Sequence, residues 1–291
     1  MKIAIHGRAF NEAAKSYIQS MFDELKSRNT EIFISETYAQ VLKETGIETN
    51  CHKYFSNAAD FVEADFALSL GGDGTLLDSL TYIGAKETPI LGINTGRLGF
   101  LATVSPENLI VELALLFQGK YEIEKRSLVS IESNVDIFNG VNFGLNELGI
   151  MKTDTSSMIV IKAYLNGEYL NSYWADGLIV STPTGSTGYN LSVGGPVVTP
   201  GADIFVISPM SPHNLNVRPL VVSDSSMLKF EVESRSKNYL VSLDSRSKVV
   251  DDTTIISLKK ENFRACLLKI RGSDFLDTLR SKLNWGLDAR N

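Results

Sequence analysis

Apolar and polar residues change rhythm twice along this chain. "KIAI" (2–5) is a short continuous apolar run, the mark of a buried strand. Over 11–28 the apolar residues Ala14, Ile18, Met21, Phe22 and Leu25 recur at helical spacing. "EIFIS" (31–35) predicts a second strand and 37–45 a second helix. "ADFALSL" (64–70) predicts a third strand that runs into glycines. "TLLDSLTYIG" predicts the helix after it, with Gly84 near its C-terminus. "TPILGIN" (88–94) is a further strand. "SPENLIVELALLFQG" predicts a helix with Ser105 as N-cap, Pro106 in the first helical position and Gly119 at its close. Alternating strands and helices over the first 120 residues predict a doubly wound, mostly parallel α/β sheet.

Near residue 121 the rhythm shortens. "SLVSIES", "MIVIKAYLNG", "YLNSYWADGLIVSTP", "DIFVISP", "RPLVVS", "MLKFEVES", "YLVSLDS", "TIISLKK" and "CLLKIRG" read as short strands between turns. An all-β region is expected over 122–270. The tail, 274–291, returns to helical spacing at Phe275, Leu279 and Leu283. The expected organisation is an α/β domain over 1–121, with 271–291 packing back on it, and a β-rich domain over 122–270.

Composition narrows the class. The chain has 291 residues, 43% hydrophobic and 21% charged, which is the balance of a soluble globular protein of one large or two ordinary domains. Its net charge is −6, and no Lys/Arg block marks a nucleic-acid surface. A nucleotide would have to be held locally, by backbone N–H groups, a few basic residues and metal. The apolar N-terminus is too short for a signal peptide. "LIVELALLF" is broken by Glu112 and falls below the roughly 20 residues of a membrane span. Cys51 and Cys266 form no disulfide framework, and His6, His52 and His213 are scattered. A reduced, cytoplasmic protein without a His/Cys zinc site is expected.

"LSLGGDGTLLDSL" (68–80) then stands out. Gly71, Gly72 and Gly74 surround Asp73 between a strand and a helix. Glycines permit close backbone approach, and a helix N-terminus offers unpaired N–H groups and positive dipole. That is an anion site. The P-loop string is absent, and "GDGTLL" has Leu77 where a dinucleotide fingerprint needs its last glycine. Asp73 reads either as a turn residue or as a carboxylate placed beside phosphate to act as a base or to meet a metal. A second string, "ADGLIVSTPTGSTGYNLSVGGPVV" (175–198), gathers hydroxyls and glycines around Tyr189. It reads either as a solvated polar loop or as a nucleotide pocket with a stacking aromatic. Asn146-Glu147 in "GLNELGI" carries little meaning alone.

Five strings occur in order and at fitting spacing: "GGDGT" (71–75), "NTGRLGFL" (94–101), "NE" (146–147), "DGLIVSTPTGSTGYNLSVGGPVV" (176–198) and "SPHNLNVRPLVV" (211–222). Together they resemble the ATP-NAD kinase family of bacterial type, and "SKLNW" (281–285) resembles its terminal helix. The resemblance covers most of the chain. "GGDGT" alone is less specific, since diacylglycerol and sphingosine kinases carry a related turn and 6-phosphofructokinases a similar one; the long glycine/threonine string is the specific part.

The resemblance implies an α/β domain supplying "GGDGT", a β domain supplying an NAD pocket, and transfer of the ATP γ-phosphoryl to the 2′-hydroxyl of the adenosine ribose of NAD. It implies a divalent metal such as Mg²⁺, and a homodimer or homotetramer. Asp73 matches the catalytic aspartate, with Gly71, Gly72, Gly74 and Thr75 against phosphate. A carboxylate is a weak base for an alcohol, but in a loose phosphoryl transition state the hydroxyl acidifies late. Asp73, Gly74, Asn146, Glu147, Asp176 and Thr187, Gly188, Tyr189, Asn190, Leu191 and Ser192 match NAD contacts. Gly188 stands where the family commonly has alanine. Ser157 and Trp174 depart from the family pattern; Arg246 reads as a phosphate contact or a surface residue, and His213 as a ligand or a structural histidine. Two other readings stay open, a lipid kinase with an apolar channel and a nucleotide-binding regulator without chemistry.

Overall fold

The glycine-rich turn at 71–75 grows out of a parallel sheet. The computed structural model describes residues 1–96, 99–155, 157–270 and 275–285. The chain divides into two units, Met1–Lys125 with Ala265–Asn291, and Arg126–Arg264.

In the first unit β1 (Lys2–Gly7) pairs in parallel with β2 (Glu31–Ser35), and β2 with β3 (Cys51–Phe55). On the other side of β1 lie β4 (Phe66–Leu70) and β5 (Ile90–Ile93), also parallel. The late strand Ala265–Lys269 joins β5 in parallel, and β6 (Glu122–Arg126) ends the sheet. The sequence reading placed both of these strands in the β-rich region. A short apolar strand carries the same pattern whichever sheet accepts its backbone, so only pairing assigns it. β4 and β5 are buried throughout, as strands covered on both faces must be. β3 was not predicted; only its last residue is buried, because it is an edge strand.

Helices cover both faces. α1 (Glu12–Ser27) buries the five residues that its spacing marked, and Asn11 caps it by accepting from the Ala14 N–H at 3.0 Å. α2 (Glu36–Glu44) is capped by Ser35. α3 (Asp73–Ile83) starts two residues before the predicted helix and takes Asp73 into its first turn. The helix expected after Ser105 splits into a 3₁₀ turn, Pro106–Asn108, and α4 (Leu109–Phe117). α1, α2 and α4 share a core with Ile3, Ile5, Leu68, Leu91 and Ile93. On the opposite face the α3 residue Tyr82 lies 5.0 Å from the His6 ring and 5.2 Å from Phe55. Strand order runs outward from β1 to β3 and, in the other direction, from β4 to β5. The order therefore reverses between β1 and β4. In open α/β sheets, ligands bind beyond the strand C-termini at such a reversal. The helix Phe275–Leu283 belongs to this unit and buries Leu279; residues 271–274 and 286–291 lie outside the described residues.

The second unit is two six-stranded antiparallel sheets. Its strands are β7 (Val129–Ser133), β8 (Phe143–Gly144), β9 (Glu147–Met151), β10 (Ile159–Leu165), β11 (Glu168–Ala175) and β12 (Gly177–Ser181). They continue with β13 (Ile204–Met210), β14 (Leu220–Ser223), β15 (Leu228–Glu233), β16 (Asn238–Leu243), β17 (Arg246–Asp251) and β18 (Ile256–Lys260). The orders are β11-β10-β15-β18-β7-β8 and β14-β13-β12-β9-β16-β17. Strands such as β10 and β16 bury every second residue, and the inward rows of both sheets meet in one core. After β12 the chain makes a 3₁₀ turn, Thr184–Thr187, and the single-turn helix α5 (Tyr189–Ser192).

Candidate functional site

At the β4–α3 turn the backbone is held tightly. The Gly71 N–H donates to the Ile93 carbonyl at 2.9 Å, and the Arg8 N–H to the Leu70 carbonyl at 3.1 Å. A Cβ on Gly71 would stand 2.1 Å from Thr75 Oγ1, so only glycine fits over the buried Thr75. Gly72, the α3 N-cap, and Gly74 face open space. Backbone N–H groups in a first helical turn have no intrahelical partners. The turn thus presents N–H groups without side chains in front of them. Arg8, just past β1, brings a guanidinium to the same edge, where its Nε donates to Asp78 of α3 at 2.9 Å.

Asp73 is the first residue of α3, but its carboxylate turns to a second segment. Oδ2 accepts from the Phe100 N–H at 2.7 Å; Oδ1 accepts from Leu101 at 2.9 Å and Ala102 at 3.0 Å. Gly99 makes room, since a Cβ there would lie 1.8 Å from Asp73 Oδ1. The string "NTGRLGFL" therefore ends in the cradle of the acid; its Arg97 and Leu98 lie outside the described residues. An ionised carboxylate has about four lone-pair directions. Three are taken here, and the fourth lies on Oδ2.

In the second unit a similar cradle holds Asp244. Its carboxylate accepts from the N–H groups of Leu145 and Asn146, each at 2.7 Å, and Glu147 at 3.2 Å. Burial pushes the Asp244 carboxyl up, and the three N–H groups pull against that. Next to it, burial pushes the Glu147 carboxyl up to about 8, and the Asp244 charge adds to the effect. Glu147 Oε2 has no hydrogen-bond partner among the described residues. It lies 3.2 Å from where a Cβ on Gly188 would stand. Gly185 packs directly on the Asn146 backbone, 2.2 Å separating an added Cβ from the carbonyl oxygen. Thr182 fixes the same segment, donating its N–H to the Asn146 carbonyl at 2.8 Å and its hydroxyl to the Leu145 carbonyl at 2.6 Å. Asn146, Glu147 and the "TGSTG" turn, distant in sequence, therefore form one cluster. Tyr189 stands exposed beside it at the start of α5, Thr187 is half-buried and Ser192 exposed.

Other expected residues are placed differently. Asn190 is fully buried: its Nδ2 donates to the Ser186 and Pro196 carbonyls at 3.2 and 3.1 Å, and its Oδ1 accepts from Ser208 at 2.7 Å. It is a strut of the loop, a role that the string of letters did not reveal. Asp176 pairs with Lys152 at 2.7 Å. It sits beyond Gly177, whose partner is Met151, while Ser181 partners Glu147; the two acids are thus separated along the β9–β12 ladder by roughly five residues, about 16 Å. Arg246 donates to the carbonyls of Val141 and Phe143, each at 2.5 Å, and lies over the Phe138 ring. These bonds make it a brace for the loop before β8. Trp174 is exposed on β11 and shares a groove with Ser157; the exposed His213 is bonded through its backbone N–H to the Trp174 carbonyl at 2.8 Å. Among the described residues, no three His, Cys, Asp or Glu side chains converge as a metal site, both cysteines are free, and no helix is long and apolar enough to cross a membrane.

Comparison with known proteins shows the family of the chain. The ATP-NAD kinase N-terminal domain model matches residues 4–121 and the ATP-NAD kinase C-terminal domain model residues 145–263. An NAD kinase of Cytophaga hutchinsonii is 48% identical and one of Flavobacterium psychrophilum 47% identical, each over the full length of both chains. Among solved structures, an NAD kinase from Archaeoglobus fulgidus in complex with ATP is 27% identical, with a TM-score of 0.74 over 98% of this chain and 99% of its own. Yeast NADH kinase complexed with NADH shares the fold, with a TM-score of 0.89 over 99% of this chain and 88% of its own at 19% identity.

Proposed function

The chain belongs to the ATP-NAD kinase family and phosphorylates NAD with ATP as donor, and from that premise we propose how its own residues divide the work. The acceptor is the 2′-hydroxyl of the adenosine ribose. The observation that carries the reading is the Asp73 carboxylate at the start of α3, beyond the C-terminal ends of β1 and β4. Three N–H groups hold it still, and the lone pair left on Oδ2 takes the hydroxyl proton as the phosphoryl group moves. The open backbone at Gly72 and Gly74 receives phosphate oxygens, with Gly71 and Thr75 shaping the turn.

The ribose meets Asn146 and Glu147, Tyr189 stacks on a base, and Asp176 meets the nicotinamide end, with Thr187, Gly188, Leu191 and Ser192 along the dinucleotide. The separation of Asp176 from Glu147 suits an extended ligand. Asn190 and Arg246 support this region through the bonds described above rather than through ligand contact. A 2′-phosphate already on the ligand would be repelled by Asp73, which favours NAD over NADP.

A divalent ion such as Mg²⁺ fits this donor set when it arrives on the ATP phosphates, since Mg²⁺ is commonly held by substrate phosphates, water and one or two carboxylates. When bound it neutralises phosphate charge. The free thiols suit a cytoplasmic setting. A homodimer or homotetramer is proposed, and light scattering tests it. The reaction is tested by incubating purified protein with ATP, Mg²⁺ and NAD and detecting NADP with an NADP-specific dehydrogenase. No NADP above background would sink the reading.

A further inference from the structure

Asp244 lies in the turn between β16 and β17, with φ at +54°, a left-handed conformation that asparagine and aspartate tolerate better than most residues. That conformation aims its carboxylate at three consecutive N–H groups, those of Leu145, Asn146 and Glu147. The Asp244 N–H in turn donates to the Glu147 carbonyl at 3.1 Å. Gly144 admits the carboxylate, since a Cβ there would lie 2.9 Å from Asp244 Oδ1. A buried charge of this kind is costly unless its oxygens are satisfied. Here the compensation comes from the backbone of Leu145 and of the two residues whose side chains are proposed to meet the ribose.

We propose that Asp244 is a positioning residue for NAD recognition: through the Leu145–Glu147 backbone it fixes where the Asn146 and Glu147 side chains stand. The proposal rests on the ribose reading of those two residues. It has an electrostatic corollary. The groups facing Glu147 are Asp244 from the β16–β17 turn, on whose carboxyl Arg246 acts in turn, and Gly188 from the loop after β12. Arg126 bonds Thr184 in that loop at 3.2 Å. Burial, with the Asp244 charge adding to it, keeps Glu147 protonated at neutral pH, so that its carboxyl both donates to and accepts from a ribose hydroxyl.

The test is the pH dependence of KM for NAD in wild type, Asp244→Asn, Glu147→Gln and the double variant. In wild type, KM rises above about pH 8 as Glu147 ionises. Asp244→Asn raises KM by about tenfold, the scale of one charge-assisted hydrogen bond, with a smaller effect on kcat. It also moves the rise in KM to lower pH. In Glu147→Gln the pH-dependent rise is lost, and adding Asp244→Asn costs far less than it does alone. Independent, multiplicative effects, or a loss of kcat and Tm with the pH midpoint unmoved, overturn the proposal. If Asp244→Asn does not fold, Gly144→Ala crowds the carboxylate without removing it and must show the same rise in KM. Carboxyl carbon NMR of Glu147 reads the coupling without turnover. A protein that makes no NADP overturns the kinase reading; an unmoved Glu147 midpoint in Asp244→Asn, or an unchanged KM in Gly144→Ala, overturns this one.

Discussion

Asp73 and Gly99 fit one another: the carboxylate of the first occupies the volume that a side chain on the second would fill, 1.8 Å separating an added Cβ from Oδ1. Three hydrogen bonds to the residues after Gly99 complete the contact. Gly99→Ala must therefore move either the carboxylate or the loop. The expected outcome is a fall in kcat of about a hundredfold, the scale of a misplaced catalytic group, with a smaller change in KM for NAD. Steady-state kinetics in the coupled NADP assay checks it.

Asp73→Asn removes the lone pair proposed to take the proton, while the other residues proposed to hold NAD are untouched. NAD binding by calorimetry should persist, and kcat should drop by about a hundred- to ten-thousandfold. A variant with near-normal kcat would show that Asp73 is not the base.

Asn190→Ala separates a strut from a ligand. The side chain makes three internal hydrogen bonds and no part of it is exposed. Its removal should cost about 2–4 kcal/mol of stability, because several buried polar groups lose their partner. A lower Tm, measured by calorimetry, is the expected signature. An unchanged Tm with a raised KM for NAD would reassign the residue to the ligand.

Glu147→Gln should make the protein more stable and less active. The native carboxyl is raised to about 8 from its ordinary 4.5, so the native state binds a proton that the unfolded chain has lost. Stability from this group is full below about pH 4.5 and is lost as pH rises through 8. Gln removes that loss, and the gain at pH 8 should be about 2 kcal/mol or more. Thermal midpoints at pH 5 and pH 8 test the sign: the difference between variant and wild type should grow with pH.

His6 works in the opposite direction. Burial is the main cause that lowers its imidazole from 6.5 to about 4, with the Asp78 charge opposing and Arg8 assisting. Between those values the unfolded chain binds the extra proton, so stability is full above pH 6.5 and falls as pH drops through 4. The expected contribution is about 3 kcal/mol. His6→Gln should flatten the fall in Tm between pH 6.5 and pH 4.

Much of this was legible in the residues. The stripe of α1, the strands β4 and β5 and the change of rhythm near residue 121 all follow from burial, which leaves a periodic trace in the sequence. β3 left none, because an edge strand is held by backbone bonds and exposes "HKY". The strand Ala265–Lys269 left a trace that named its type but not its sheet. "GGDGT" and "TGSTGYNLS" marked the region of the proposed chemistry, since glycine and hydroxyl spacing is local.

The sequence alone thus determined two kinds of secondary structure and the turn that carries Asp73. Only the tertiary structure decided what each acid touches. Asp73 finds its N–H groups 27 to 29 residues away, and Asp244 finds its own 97 to 99 residues back. Backbone N–H groups are the same at every non-proline position, so no letter announces which will face a carboxylate. Glycines at 99 and 144 become meaningful only when an oxygen fills the space beside them. The same holds for Asn190, a ligand by its neighbours in sequence and a strut by its neighbours in space.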